Sequence, residues 1–152
     1  MHFRVQVVVV ADDGTQHCLP LTDLVRPASG EAPVAVESLG LTLEESKGLL
    51  RSLQEVVVQH QVQSYLDQQR PCPHCGRRRP LKENHAAPFR TLFGVVSVPN
   101  PRWQACECSE QAARTFRPLA HLLEERISPE LLYLETKWAS LGSDNQRNDL
   151  LH

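Results

Sequence analysis

Four cysteines in this chain stand in two tight pairs, Cys72-x2-Cys75 and Cys106-x-Cys108. Paired thiols at such spacing are the arrangement from which tetrahedral metal sites are built, because each pair can sit on one turn and supply two sulfurs. The 30 intervening residues read as β-hairpin, so antiparallel strands would return the second pair to the first. That is the layout of a zinc ribbon, with Cys72, Cys75, Cys106 and Cys108 as ligands to one structural Zn2+. Gly76, directly behind Cys75, suits a knuckle whose backbone N–H groups turn toward sulfur. The second pair departs from the usual two-residue gap, and one intervening residue strains a two-ligand knuckle. His74, His85 and Cys18 therefore stand as reserve ligands, against their plainer roles as surface residues and a small apolar side chain. Iron in the same S4 cage and a redox dithiol are the competing chemistries. A catalytic zinc would keep an open position and more often use histidine or carboxylate.

The odd total of five cysteines argues against a disulfide framework and, with no signal peptide at the N-terminus, for a cytoplasmic chain. No apolar run approaches the roughly 20 residues of a membrane span, so no membrane partner is expected. The sequence contains no GxSxG, phosphate-loop or HExxH pattern, and no catalytic residue is assigned.

Charge is unevenly spread. Net charge over the 152 residues is −2, yet residues 70–117 hold nine Lys/Arg against three Asp/Glu. Residues 1–69 hold four against nine, and residues 118–152 three against six. The cysteine-bearing block is thus a basic island of +6, or about +4 once four thiolates and one Zn2+ are counted. Arginine grips phosphate through two parallel hydrogen bonds. Arg77, Arg78, Arg79, Lys82, Arg90 and Arg102 are accordingly the expected contacts to double-stranded DNA, against the plainer reading of a solvated ribbon face. Phe89, Phe93 and Trp103 are expected to fill the small core.

The elements that must position these residues are legible in outline. The valine-rich stretch 3–11, the turn Asp12-Asp13-Gly14-Thr15 and the return 16–24 predict a β-hairpin. Residues 26–38 read as a linker. Thr42 and Glu45 form a capping box that opens a helix over 43–69. Leu50, Leu53 and Val57 make one apolar stripe on it; Val58, Val62, Tyr65 and Leu66 make a second, rotated one. Both stripes either pack against the hairpin and the rest of the chain, or the helix, long for so small a protein, is the seam of a homodimer, although heptads lapse at Ser46, His60 and Ser64.

Short strands are expected over 79–85, 88–93, 94–98 and 102–106, with turns at Ala86-Ala87, Gly94 and Pro99-Asn100-Pro101. Helices are expected over 119–125 and 129–141, the second opened by Ser128-Pro129 and burying Leu131, Leu134, Trp138 and Leu141. The expected class is α+β: an N-terminal β-hairpin and linker (1–40), a long helix (41–70), a zinc-ribbon-like antiparallel module (71–116) and a C-terminal helical segment (117–152).

Several separated stretches also resemble a known family. FRVQVVVVADDG, LQEVVVQHQVQSYL, CPHCGRRRPLK, FRTLFGVVSVPNPR, CEC and SPELLYLETKWASL, in that order, resemble the N-terminal region of bacterial insertion-sequence transposases of the ISKra group. The resemblance implies a DDE-class transposase whose N-terminal part carries a zinc-binding module and helical DNA-binding elements. It implies a role in recognising element ends or in assembly during transposition, with full-length transposase as a further partner. The strand-transfer chemistry of that class needs three carboxylates holding two Mg2+ ions on an RNase H-like domain, which would follow the region seen here. No carboxylate of this chain is carried over as catalytic, so the chain reads as a truncated transposase. A protein–protein module stapled by zinc, or a truncated regulator of the full-length enzyme, is the alternative.

Overall fold

The computed structural model describes residues 1–26, 36, 39–108 and 114–148, with only the backbone of 142–148. The fold is α+β, in two compact units, Met1–Val57 and Val58–His152, whose boundary falls inside one continuous helix.

In the first unit, β1 (His2–Val10) and β2 (Gln16–Val25) form the expected antiparallel hairpin. Its turn needs Gly14 at φ +83°, a conformation that costs a residue with a Cβ. Period-2 alternation leaves Val5, Val7 and Val9 half-buried while Phe3, Val8 and Val10 face solvent. Helix α1 (Leu43–Gln69) begins where the capping box predicts. The Glu45 N–H donates to Thr42 Oγ1 at 3.1 Å, and the Thr42 N–H donates to Glu45 Oε2 at 2.8 Å.

The same carboxylate accepts both guanidinium arms of Arg26, at 2.8 and 2.7 Å. Arg26 also donates to the Gly40 carbonyl, and its backbone closes the hairpin by exchanging hydrogen bonds with Met1. One carboxylate thus joins the end of the hairpin to the start of the helix. Apart from Arg26 and Val36, the linker expected over 26–38 lies outside the described residues.

The second unit is a three-stranded sheet, order β3-β4-β5, packed on the trailing half of α1. Here β3 (Leu81–Thr91) runs unbroken through Ala86-Ala87, and β4 (Gly94–Gln104) runs unbroken through Pro99-Asn100-Pro101. Both stretches were expected to be turns. Register explains why they are not. Pro99 and Pro101 lie opposite Ala86 and Asn84, two residues apart, so both point their missing N–H groups to the same edge of β4, away from β3. No ladder bond is lost, and that edge is blunted against further pairing.

Pro88 has the same phase on β3 and faces the outer edge. Two residues on, Arg90 uses that edge: its N–H donates to Arg126 O, and Ser128 N–H donates to Arg90 O. The β3–β4 loop is Leu92-Phe93, with Gly94 at φ +129° and the Thr91 hydroxyl bonded to Gly94 O. The short strand β5 (Thr115–Phe116) pairs with Trp103 and Gln104.

Val58, Ala87, Val96 and Val98 form one buried cluster, and Leu66, Trp103 and Leu119 the other, with Val62 and Leu123 shared between them. Phe89 packs on the first cluster as expected, whereas Phe93 is 37% exposed at the hairpin tip. The stretch 119–125 closes a single turn, through Leu123 N–H to Leu119 O, and is not a helix. Arg126, at φ +53°, breaks it so that Ile127 can reach β3. Helix α2 (Pro129–Asn148) starts as expected, its Ser128 Oγ accepting from Leu131 N–H at 3.3 Å. Of the apolar side chains expected to be buried, Leu131 and Leu134 are half-buried, and Trp138 and Leu141 are exposed.

Two outcomes test this architecture. Leu119→Ala, at a site 1% exposed, should lower unfolding free energy by about 2–5 kcal/mol, whereas Leu122→Ala, 59% exposed, should change it by less than about 0.5 kcal/mol in urea titrations. The second concerns Glu45, whose carboxyl is held at about 2 instead of the ordinary 4.5, chiefly by Arg26 and then by the Thr42 N–H. A depressed carboxyl contributes stability that is complete above pH 4.5 and lost as pH falls toward 2. Helicity followed from pH 6 to 2 should therefore fall less steeply in Glu45→Gln than in the parent chain, once both are normalised at pH 6.

Candidate metal centre and its basic rim

Two local structures carry the four thiols. The first is the turn after α1. Pro71 and Arg78 form an isolated antiparallel bridge, Cys72 N–H donates to Arg77 O, and Gly76 N–H donates back to Cys72 O. Gly76 takes φ +70°, the positive value that lets this loop close. The second is the segment leaving β4, anchored where Gln104 N–H bonds Pro80 O and Ala105 N–H bonds Arg114 O. The β3–β4 ribbon sets the two loops beside one another.

The four sulfurs all lie within 4.8 Å of one another. Cys72 and Cys108 sulfurs are 3.5 Å apart, Cys75 and Cys106 3.3 Å, and Cys106 and Cys108 3.2 Å. These separations are far beyond a disulfide bond and a little short of the about 3.8 Å edge of a tetrahedron with metal–sulfur bonds of about 2.3 Å. Cys72 is buried, Cys106 half-buried, and Cys75 and Cys108 face solvent.

The electrostatics suit a cation. Backbone N–H groups of His74 and then Cys75 are directed at Cys72 and draw its thiol down to about 6. The Cys108 N–H, followed by the Cys108 thiol, lowers Cys106. Hydrogen bonding to the Cys106 sulfur, and then to those of Cys75 and Cys72, pushes Cys108 upward. Four thiols so close, two of them disposed to ionise, suit a divalent cation. The four cysteines can hold one metal ion, and all-thiolate donors favour a thiophilic one.

None of the reserve ligands joins this group. Among the described residues the cluster is formed by the four cysteines; His85 lies on β3 beside Glu83 at 3.5 Å, and Cys18 is exposed on β2. His74 is exposed in the knuckle turn, its backbone N–H turned to Cys72.

The six expected phosphate contacts divide into two groups. Arg79 is half-buried, with its guanidinium 4.4 Å above the Phe116 ring and an N–H donated to Gln69 O. Arg90 is ion-paired with Glu135 of α2. Arg102 donates to Thr115 Oγ1 at 2.9 Å and to Glu83 Oε1 at 3.2 Å, and Glu83 is held below its ordinary range, first by Arg102. These three are committed to internal contacts. Arg77 and Lys82 are exposed and have no ion pair among the described residues, and Arg78 is exposed with Asp67 3.9 Å away. Arg114 joins them on the rim: it is exposed, and its carbonyl accepts from Ala105, next to Cys106. Its charge was visible in the sequence, but its place beside the knuckle depends on β5 pairing.

No helix among the described residues is long and apolar enough to cross a membrane. No family model, curated protein or solved structure matches the chain.

Metal titration followed by Co2+ absorption checks the donor set. One equivalent should bind with the charge-transfer and ligand-field bands of a tetrahedral thiolate site. Cys72→Ser should cut affinity by at least about tenfold, and Cys18→Ser should leave it unchanged.

Proposed function

We propose that the chain is a zinc-stapled DNA-binding module, serving as the end-recognition or assembly part of a DNA transposition system and not itself catalytic. Zn2+ bound by Cys72, Cys75, Cys106 and Cys108 is structural in this reading, closing a ribbon that has too little apolar surface to hold its own loops. The observation that carries the DNA reading is a set of exposed cations, Arg77 and Arg78 in the first cysteine turn, Arg114 bonded to Ala105 and Lys82 at the start of β3, in the one basic block of an otherwise acidic chain. Such a set suits the phosphate backbone and gives a hold that depends on salt more than on base sequence. The resemblance to the N-terminal region of ISKra-group transposases supplies the biological setting, in which the duplex would be the element end.

Mobility-shift titrations on duplex DNA over a range of salt concentrations test the proposal. Binding should weaken with a log–log slope of about −0.9 per phosphate contacted. Arg77→Ala and Lys82→Ala should each reduce that slope by about one, while folding and metal content stay unchanged. Arg102→Ala should act mainly on stability, because it leaves Glu83 short of its partner. Absence of binding even at low salt, with zinc in place, would remove the DNA reading.

A further inference from the structure

The unit Met1–Val57 contains no fully buried side chain among the described residues, although it is rich in valine and leucine. An isolated two-stranded hairpin is at best marginally stable in water. Its helical part also displays apolar surface in register. Leu43, Leu50, Leu53 and Val57 are 72%, 39%, 37% and 42% exposed, at successive spacings of seven, three and four residues. With Leu43 as heptad position a, the a and d positions are Leu43, Ser46, Leu50, Leu53 and Val57. The stripe ends where α1 changes the face it buries: from Val58 the helix packs Val58, Val62 and Leu66 into the second unit's clusters, while His60 and Ser64 lie exposed.

We propose that this stripe is the seam of a homodimer, covered by the same stripe of a second copy of the chain. Charge fits that occupant. The flanking e and g positions are Thr42, Lys47, Leu49, Gln54 and Val56, so no carboxylate is brought to the seam. The acids of this stretch, Glu44, Glu45 and Glu55, fall on positions b, c and f, away from it. Leu49 and Val56, half-buried at g, widen the apolar face. Leu39 and Leu41, just before the helix, are exposed as well. The inference rests on the first unit alone and is independent of the DNA reading.

Sedimentation equilibrium of the zinc-loaded full chain, without DNA, tests it from micromolar to tens of micromolar concentrations. The expected mass is that of two chains, unchanged in high salt because the seam is apolar. Leu50→Glu with Leu53→Glu should give a single-chain mass at unchanged zinc content, and Glu55→Lys on the opposite face should remain dimeric. Should the double glutamate variant lose helicity, Leu50→Ala with Val57→Ala must instead weaken self-association at least tenfold. A single-chain mass for the parent throughout the range overturns the proposal. So does a dimer that survives these substitutions, or one that dissolves in salt. A parent monomer in which the stripe is protected from hydrogen exchange would place another part of the chain there and overturn it equally.

Discussion

The second unit depends on bringing two loops, 31 residues apart at Cys75 and Cys106, to one point at the end of a ribbon. The sheet alone holds that end weakly. β5 contributes two residues, and the described loops bear one buried side chain, Cys72. Backbone N–H groups directed at Cys72 and Cys106 lower the cost of gathering ionised thiols there, the form in which the four cysteines can hold a metal ion. The one-residue gap between Cys106 and Cys108 leaves their sulfurs 3.2 Å apart, and each also approaches one sulfur of the first pair, Cys108 toward Cys72 and Cys106 toward Cys75.

This constraint explains the arginines. In a ribbon with few large apolar residues, Arg79 and Arg102 act as packing groups. One caps the Phe116 ring, which itself meets Trp103 edge-on at 5.6 Å, and the other bridges β5 to Glu83. Their aliphatic stems and planar heads supply contact area that Val or Leu would supply in a larger core. Among the described residues Arg77, Lys82 and Arg114, on the knuckle, the bulge and the segment before β5, form no ion pair, and Arg78 has Asp67 at 3.9 Å. Composition alone cannot make that division, because it counts charges and does not place their partners.

What the sequence disclosed was what is decided locally. The capping box at Thr42 and Glu45, the Gly14 turn, the Ser128-Pro129 helix start and the cysteine spacing each rest on a few adjacent residues, and each predicted feature is found in place. In the β-ribbon, register overrides local preference. Pro-Asn-Pro ordinarily signals a turn, but here both prolines fall on the phase that needs no donor toward β3. LAHLLEER has helical composition, yet the bonds between Arg90 and the Arg126–Ser128 segment draw the chain into an edge pairing that no local rule contains. The Arg26 clamp on Glu45 was hidden for the same reason, since its partners lie 19 residues apart.

Helix α1 shows how one element can carry two environments without a break. A step of one residue turns a helix by about 100°, so moving the apolar stripe from Leu50, Leu53 and Val57 to Val58, Val62 and Leu66 changes the buried face while the backbone continues. Beyond Val57 that face is covered by the sheet and the Leu119 turn. Before it, the surface is apolar, in heptad register and kept clear of acids, although the surrounding sequence is acidic. Glu44 and Glu45 belong to the first turn, where the capping box and Arg26 hold Glu45, and Glu55 alone lies farther along, on the face away from the stripe. An acid on that face costs nothing, whereas one beside the stripe would oppose its cover by another helix, which is the physical ground for proposing assembly through the first unit separately from phosphate binding by the second.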